Sequence, residues 1–234
     1  GQQAPSVCPK GPSFRWSISL LGILRPLRKP SVWGRFDPDD PPAGLLEPFP
    51  PATMRKTLLT YVKPHVQEDP LSMVLGITYI GAAMEKAGLP VELADERILN
   101  DREMKAAIER NEVIGFSALT PNIRRAIAWA KYAKEQGKIT VMGGPHASVD
   151  QGVFLDTGHF DYVLKGEAEY TFPQMLKAID GNDDAALQEV PGLAAWRDGQ
   201  LAFDSQAPPL IKKLDELPIP ARHLLPMETY FKNN

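Results

Sequence analysis

Short apolar runs alternate with longer amphipathic segments over most of the chain. Five runs have the length of buried parallel strands and are bounded by polar residues or glycine: 57–62, 91–94, 113–116, 139–142 and 162–164. Apolar positions at three- and four-residue spacing predict the intervening helices, at about 71–87, 101–110, 120–137, 149–156 and 167–179. This alternation predicts an α/β protein with a flavodoxin-like (Rossmann-like), doubly wound, five-stranded parallel sheet.

The segment 112–148 shows this pattern most completely, as one strand, helix, strand unit. Thr120 is a favoured helix N-cap, and Pro121 suits the first helical position because its missing N–H would have no partner there. Ligands of open parallel sheets bind at the carboxyl ends of the strands. We therefore expect the site at the loops that follow the two strands of this unit, 117–120 and 143–148.

The composition changes on both sides of the α/β region. Residues 1–53 hold eleven of the 23 prolines and no sustained periodicity, which predicts a disordered, proline-rich extension; a targeting peptide is the alternative. We expect the α/β domain to span 54–185. In 186–234, alternation around Asp198 and Gly199 predicts a tight hairpin, and the prolines after it predict a linker.

Charge and cysteine content disfavour several classes of protein. The chain has 234 residues, 24% of them charged, and its net charge of −3 does not favour a nucleic-acid partner. Its one cysteine, Cys8, cannot build a disulfide framework, a zinc site or an iron–sulfur cluster, so we expect a cytoplasmic protein. No apolar run approaches the roughly 20 residues that span a bilayer, so we expect no membrane partner.

Two nucleotide-related functions of this fold lack their motifs. A dinucleotide site requires G-x-G-x-x-G after the first strand, and the sequence has none there, so Asp95 fits a strand-end cap better than a ribose-binding acid. A phosphorelay receiver requires clustered acids after the first strand. The residues there are Tyr61, Val62 and Lys63, which disfavours that class.

Several polar residues near the predicted strand ends are candidates for the site. His146 follows the glycine pair of the second loop, so it is either exposed or in contact with a ligand, and we favour contact. Gly166 and Glu167 start the last predicted helix, where the helix dipole alone would explain an acid. The loop 63–70, which includes His65, would form either the rim of the site or a solvated loop.

Five stretches of sequence together point to a known family. They are P-L-S-M-V-L-G-I-T-Y-I-G-A-A-M-E-K-A-G, G-F-S-A-L-T, G-G-P-H-A-S, G-E-A-E-Y-T-F and L-P-I-P-A-R-H-L-L-P. In this order they resemble the N-terminal cobalamin-binding domain of cobalamin-dependent radical S-adenosylmethionine enzymes, over about residues 57–230. The resemblance implies cobalamin as the cofactor.

The resemblance also implies roles for particular residues. Ser117, Leu119 and Thr120 would line the slot for the nucleotide tail of cobalamin, and Gly143 and Gly144 would let that tail pass close to the backbone. Other residues expected in the cofactor site are Met73, Gly76, His146, Gly166 and Glu167.

The sequence departs from the family in two ways. Related cobalamin domains place Asp-x-His-x-x-Gly after the first strand; if Gly76 is that glycine, Met73 takes the histidine position and Leu71 the aspartate position. We therefore expect no imidazole ligand from the protein and no metal-ligating residue, unless His65 reaches in from the preceding loop. The C-x-x-x-C-x-x-C motif is absent too, so this chain alone would not cleave S-adenosylmethionine.

The leading hypothesis is a cobalamin-binding module whose catalytic barrel would follow Asn234 as its partner domain. As the resemblance implies, S-adenosylmethionine and a 4Fe-4S cluster would belong to that barrel, and the reaction would be methyl transfer or related radical chemistry. Whether this chain is itself an enzyme stays open. The alternative is a non-catalytic flavodoxin-like module that uses the same loops to bind another nucleotide or a protein partner.

Overall fold

The computed structural model describes residues 54–64, 71–197 and 200–232. The predicted N-terminal extension, 1–53, lies outside the described residues. So do His65 in the loop after the first strand and the two residues of the predicted hairpin turn, Asp198 and Gly199.

The described residues form seven short strands and seven helices. The strands are β1 Thr57–Tyr61, β2 Val91–Asp95, β3 Val113–Ser117, β4 Ile139–Gly143, β5 Tyr162–Leu164, β6 Leu193–Arg197 and β7 Gln200–Asp204. The helices are α1 Leu75–Lys86, α2 Asp101–Glu109, α3 Ile123–Glu135, α4 Gly152–Leu155, α5 Thr171–Asp180, α6 Asp184–Gln188 and α7 Met227–Lys232.

Local sequence signals set several of these bounds. The Asn100 side chain accepts from the Glu103 amide and the Glu103 carboxylate accepts from the Asn100 amide, which is a capping box at the start of α2. Gly137 adopts a φ of 71° just after α3, a left-handed conformation that glycine reaches without strain and that stops the helix. The helix therefore ends where the sequence predicts it.

All seven strands belong to one sheet with the order β2-β1-β3-β4-β5-β6-β7. The first five strands are parallel and follow the flavodoxin-like order, as predicted. The predicted count of five strands is wrong, because β6 and β7 join the same sheet as an antiparallel pair. Alternation along the sequence indicated the two strands. It does not show that β6 would supply the hydrogen-bond partners for the free backbone groups of β5.

Neighbouring residues of the strands point to opposite faces of the sheet and enter two separate apolar clusters. Leu59 and Val141 belong to the cluster that includes residues of α1 and α5. Leu58 and Met142 belong to the cluster that includes residues of α2, α3 and α4. Helices thus cover both faces, and in the described part of the chain no helix has the length and apolar character needed to span a membrane.

The segment 218–232, which the prolines predict to be a linker, lies against α1. The Ala221 amide donates to the Thr78 carbonyl at 2.9 Å, and Leu225 and Tyr230 are buried in the same apolar cluster as α1. The prolines do exclude regular strand and long helix from this stretch, but they do not prevent it from packing. It therefore adds an outer layer to the α1 side of the sheet.

Candidate functional site

A cleft of about 260 Å³ lies on the sheet face that α1 and α5 cover. Its floor is formed by residues in the middle of strands, Leu59 of β1, Gly115 of β3 and Val141 of β4. Ile80 of α1 and Phe172 of α5 line its sides. The cleft is therefore an apolar slot between two helices.

The mouth of the cleft lies at the carboxyl ends of β3, β4 and β5 and is more polar than the floor. The residues there are Ser117, Gly143, Gly144, Ser148, Gly166, Glu167 and Glu169. The carboxyl ends of the strands are where a parallel sheet is expected to bind its ligand. The two loops that the sequence predicted as ligand-facing thus meet at one opening.

Gly115 lets Leu59 and Phe172 pack directly onto the strand at the floor of the cleft. A Cβ at this position would lie 2.7 Å from Leu59 Cδ2 and 3.1 Å from Phe172 Cζ, so no larger residue fits without displacing them. Gly115 was missed as a site residue, although it stands within the G-F-S-A-L-T stretch. A glycine inside an apolar strand often marks close approach by a ligand or another backbone, and that signal was available.

Gly144 brings the two loops together at the mouth. Its φ is 90°, and a Cβ there would lie 3.0 Å from Ser117 Oγ and 3.1 Å from the Ala118 amide nitrogen. A side chain at Gly144 would thus be strained and would also press on the other loop. The structure shows close approach of the two loops here, and the expected close approach of a ligand to the glycine pair stays a prediction.

Six of the ten predicted cofactor-binding residues line the cleft: Gly76, Ser117, Gly143, Gly144, Gly166 and Glu167. The other four, Met73, Leu119, Thr120 and His146, lie outside its lining. The cofactor role of each of the ten stays a prediction.

Thr120 and His146 interact with each other. The Thr120 Oγ1 and His146 Nδ1 atoms are 3.0 Å apart, and the His146 ring packs edge-on against Phe154 at 5.5 Å between centroids. Phe154 belongs to the cluster on the opposite sheet face from the cleft. The pair therefore joins the two loops on the α3 and α4 side of the sheet.

Thr120 is not the helix N-cap that the sequence predicts. A 3₁₀ turn, Thr120–Asn122, precedes α3, and Leu119 occupies the capping position without a side-chain hydrogen bond. Pro121 does stand in the first turn, as predicted. Thr120 is thus the first residue of the turn and not the residue before it. Its hydroxyl pairs with His146 instead of capping the helix.

Met73 lies just before α1 and is partly buried against the apolar cluster on the cleft side of the sheet. Helix α1 begins at Leu75, four residues later than predicted, so Met73 is in a loop. In the residues that the structure describes, no three His, Cys, Asp or Glu side chains are grouped so as to hold a metal ion. His65 lies outside those residues, so its role stays a prediction.

Two carboxylates stand at the mouth of the cleft. Glu167 Oε2 accepts from the Ile211 amide. Helix α5 begins at Thr171, so Glu167 is not in its first turn, and the explanation by the helix dipole is wrong. Glu169 was not predicted as a site residue; its Oε2 atom is buried and has no hydrogen-bond partner among the described residues.

A buried ionic cluster lies at the carboxyl end of β2, on the same side of the sheet as the mouth of the cleft. Arg97 Nη2 donates to Asp95 Oδ2 at 2.6 Å, and the Tyr230 hydroxyl donates to the same oxygen at 2.8 Å. The Arg97 amide donates to Asp95 Oδ1 at 3.0 Å, which is the strand-end cap that the sequence predicts. Burial, and then the charge of Asp95, raise the pKa of Tyr230. Through Tyr230, the cluster connects α7 to the carboxyl end of β2.

The sequence of this chain is similar to that of known methyltransferases. It is 32% identical to an uncharacterized methyltransferase of Pyrococcus horikoshii, over 51% of this chain and 26% of that protein. It is 27% identical to cytidylyl-2-hydroxyethylphosphonate methyltransferase of Streptomyces wedmorensis, over 68% of this chain and 38% of that protein. The chain thus spans well under half the length of these two relatives.

The fold is shared with two solved enzymes. The cobalamin-dependent S-adenosylmethionine radical enzyme OxsB, with aqua-cobalamin bound, matches 77% of this chain and 25% of its own at a TM-score of 0.65 and 18% identity. The radical S-adenosylmethionine methyltransferase TsrM from Kitasatospora setae matches 66% of this chain and 31% of its own, with a TM-score of 0.54 and 18% identity. At this identity the likeness establishes the fold.

The family model for the B12 binding domain matches residues 72–176. The matched range contains both loops at the mouth of the cleft and its α1 and α5 walls. Residues 72–176 thus match the B12 binding domain, and the chain shares its fold with the cobalamin-dependent S-adenosylmethionine radical enzyme OxsB and with the methyltransferase TsrM.

Proposed function

We propose that this chain is the cobalamin-binding part of a larger enzyme and that the cleft between α1 and α5 receives the nucleotide tail of the cofactor. The observation that carries this proposal is the apolar cleft at the carboxyl ends of the strands, whose lining, apart from Leu59, falls within the range that matches the B12 binding domain. At the floor, Gly115 adds no side chain to the cleft and lets Leu59 and Phe172 pack closely on the strand.

The residues of the cleft fit the chemistry of that tail. Its aromatic base would be accepted by the apolar floor, where Leu59, Gly115 and Val141 offer no polar side chain. Its ribose and phosphate would remain near the mouth, where Ser117 and the backbone of the glycine loops supply polar groups. The corrin ring would then lie over the loops at the carboxyl ends of the strands.

We assign the larger enzyme to the radical S-adenosylmethionine methyltransferases. The support is the similarity to two methyltransferases, together with a fold shared with OxsB and TsrM. Cobalamin supplies a cobalt centre that carries a methyl group, and the residues of this chain bind and orient it. S-adenosylmethionine and a 4Fe-4S cluster would be bound by a further domain, and the cytoplasmic location rests on the single cysteine of the sequence.

The test is co-elution of the purified chain with hydroxocobalamin on a desalting column. The wild type should retain the corrin absorbance at a stoichiometry near one. A complete absence of corrin from the protein fractions would contradict the proposal. It would favour the alternative of a flavodoxin-like module for another nucleotide or a protein partner.

Ser117→Phe should strongly reduce the retained corrin. The phenyl ring would occupy the mouth beside Gly144, while the strand end leaves the sheet able to fold. Leu201→Phe is the control, because Leu201 is 48% exposed on β7, at the far edge of the sheet. Wild-type retention by a folded Ser117→Phe variant would show that the tail does not pass this residue.

The predicted lack of an imidazole ligand has a spectroscopic test. A thioether such as Met73 is a soft, weak donor that does not replace imidazole on cobalt. The Co(II) form of the bound cofactor should therefore show an electron paramagnetic resonance spectrum without nitrogen splitting from an axial imidazole. His65→Ala should leave the spectrum unchanged. Nitrogen splitting that disappears in this variant would identify His65 as the ligand.

A further inference from the structure

Glu169 stands at the mouth of the cleft with one oxygen unsatisfied. The residue lines the cleft together with Ser148 and Phe172, and its Oε2 atom is buried without a hydrogen-bond partner in the described part of the chain. A buried polar atom without a partner is costly, and such atoms are rare in folded proteins. An unsatisfied oxygen at the edge of a cleft indicates that a ligand supplies the missing partner.

The surroundings of Glu169 disfavour its negative charge. Burial raises the pKa of this carboxyl and is the largest cause; the hydrogen bond from the Glu169 backbone amide lowers it, the Glu167 carboxylate raises it, and the Ala168 amide lowers it, with a net upward shift. The adjacent Tyr170 faces another acid, Glu216. No cation among the described residues offsets these charges at Glu169. The net shift is toward the neutral carboxyl, which has an O–H to donate.

We propose that the neutral Glu169 carboxyl donates a hydrogen bond from its buried oxygen to a phosphate or ribose oxygen at the nucleotide end of the bound corrinoid. The proposal rests on the assignment of the cleft to cobalamin. If the base lies on the apolar floor, the ribose and phosphate oxygens of the tail lie near the mouth of the cleft, where Glu169 is located. An ionised Glu169 would instead repel a phosphodiester, and Glu167 would add to that repulsion.

Binding is then coupled to the protonation of Glu169. At a pH above the carboxyl pKa of the free protein, most molecules must take up a proton before the hydrogen bond forms. The affinity should therefore fall as the pH rises, by at most tenfold per pH unit. The side-chain amide that Glu169→Gln introduces also donates a hydrogen bond, but it does not titrate, so the affinity of that variant should not change with pH.

The experiment measures the dissociation constant of the full chain for cyanocobalamin between pH 5 and pH 8, by equilibrium dialysis. The affinity of the wild type should fall once the pH exceeds the carboxyl pKa of the free protein, and the affinity of Glu169→Gln should not change with pH. Glu169→Leu should bind about tenfold more weakly than the wild type at pH 5, because an acceptor of the ligand loses its donor. Dicyanocobinamide, which lacks the nucleotide, should bind equally to all three proteins.

Each other outcome overturns the proposal. A wild-type affinity independent of pH would show that Glu169 does not donate as the neutral acid. If Glu169→Leu binds cyanocobalamin as tightly as the wild type does, Glu169 does not contact the ligand. If Glu169→Leu loses as much affinity for dicyanocobinamide as for cyanocobalamin, Glu169 contacts the corrin ring and not the nucleotide. Failure of the folded wild type to bind cyanocobalamin would instead refute the cofactor assignment, and this inference with it.

A measurement on the free protein checks the protonation state independently. The fold holds the pKa of Glu169 above that of the unfolded chain, so the folded state keeps its proton to higher pH. The free energy of unfolding of the wild type should consequently fall, relative to Glu169→Gln, as the pH rises from the unfolded carboxyl pKa through the folded one. Parallel curves for the two proteins would show that the carboxyl is not held neutral.

Discussion

Gly115→Val should abolish cobalamin binding by a chain that still folds. The new Cβ would lie 2.7 Å from Leu59 Cδ2 and 3.1 Å from Phe172 Cζ, so the valine would displace these two lining side chains and change the shape of the cleft in which the base of the tail would rest. Overpacking of this kind costs about 1–3 kcal/mol of stability, which most folded domains tolerate. The affinity should fall at least about 100-fold, or ~2.7 kcal/mol, measured by equilibrium dialysis with hydroxocobalamin.

A matched pair of smaller substitutions separates the loss of the slot from the loss of stability. Gly115→Ala crowds the floor of the cleft, whereas Gly81→Ala places a Cβ 3.1 Å from Leu93 Cδ2, outside the lining of the cleft. Urea unfolding measures the stability of both variants, and only Gly115→Ala should weaken binding. If folded Gly115→Val binds hydroxocobalamin as the wild type does, the tail does not enter this cleft.

Asp95→Ala should cost about 3–5 kcal/mol of stability, because it removes one partner of a buried ion pair. The Asp95 and Arg97 side chains are 0% and 8% exposed, so water would not replace the lost carboxylate. The Tyr230 hydroxyl would lose its acceptor in the same step. Urea unfolding followed by circular dichroism would measure the change in the free energy of unfolding.

Two variants calibrate this result. Tyr230→Phe removes only the hydrogen bond to a charged acceptor and should cost about 1.5–3 kcal/mol. Arg110→Ala removes the exposed pair with Glu92, where the arginine side chain is 55% exposed, and should cost no more than about 1 kcal/mol. If Asp95→Ala proves no more destabilising than Arg110→Ala, the ionic cluster at the carboxyl end of β2 does not stabilise the fold.

The five parallel strands were predictable because their runs are short and largely apolar, and their order follows from the flavodoxin-like fold that such strands and helices indicate. Such runs are distinct from the amphipathic helices between them, and 162–164 was predicted with the bounds that the structure has. The joining of β6 to β5 was not predictable, because the choice of a sheet edge depends on contacts between distant residues. Helix starts were also less certain, as the late starts of α1 and α5 show.

The candidate site was predictable where glycine and loop position indicated it. Gly143, Gly144 and Ser117 follow predicted strands, and strand ends are where this fold binds ligands. Leu59 and Phe172 gave no signal, because an apolar residue that lines a cleft has the same pattern as one in the core. His146 follows the glycine pair, but its ring packs against Phe154, a contact set by three-dimensional packing that position in the sequence does not reveal.

The hydrogen bond between Tyr230 and Asp95 joins residues 135 positions apart, which has a consequence during synthesis. At about 5–20 residues per second, a ribosome needs roughly 7–27 s to pass from one to the other. Throughout that interval the outer face of α1, which Leu225 and Tyr230 later cover, stays open to solvent. We therefore expect α1 to complete its packing only after this last segment has been synthesised.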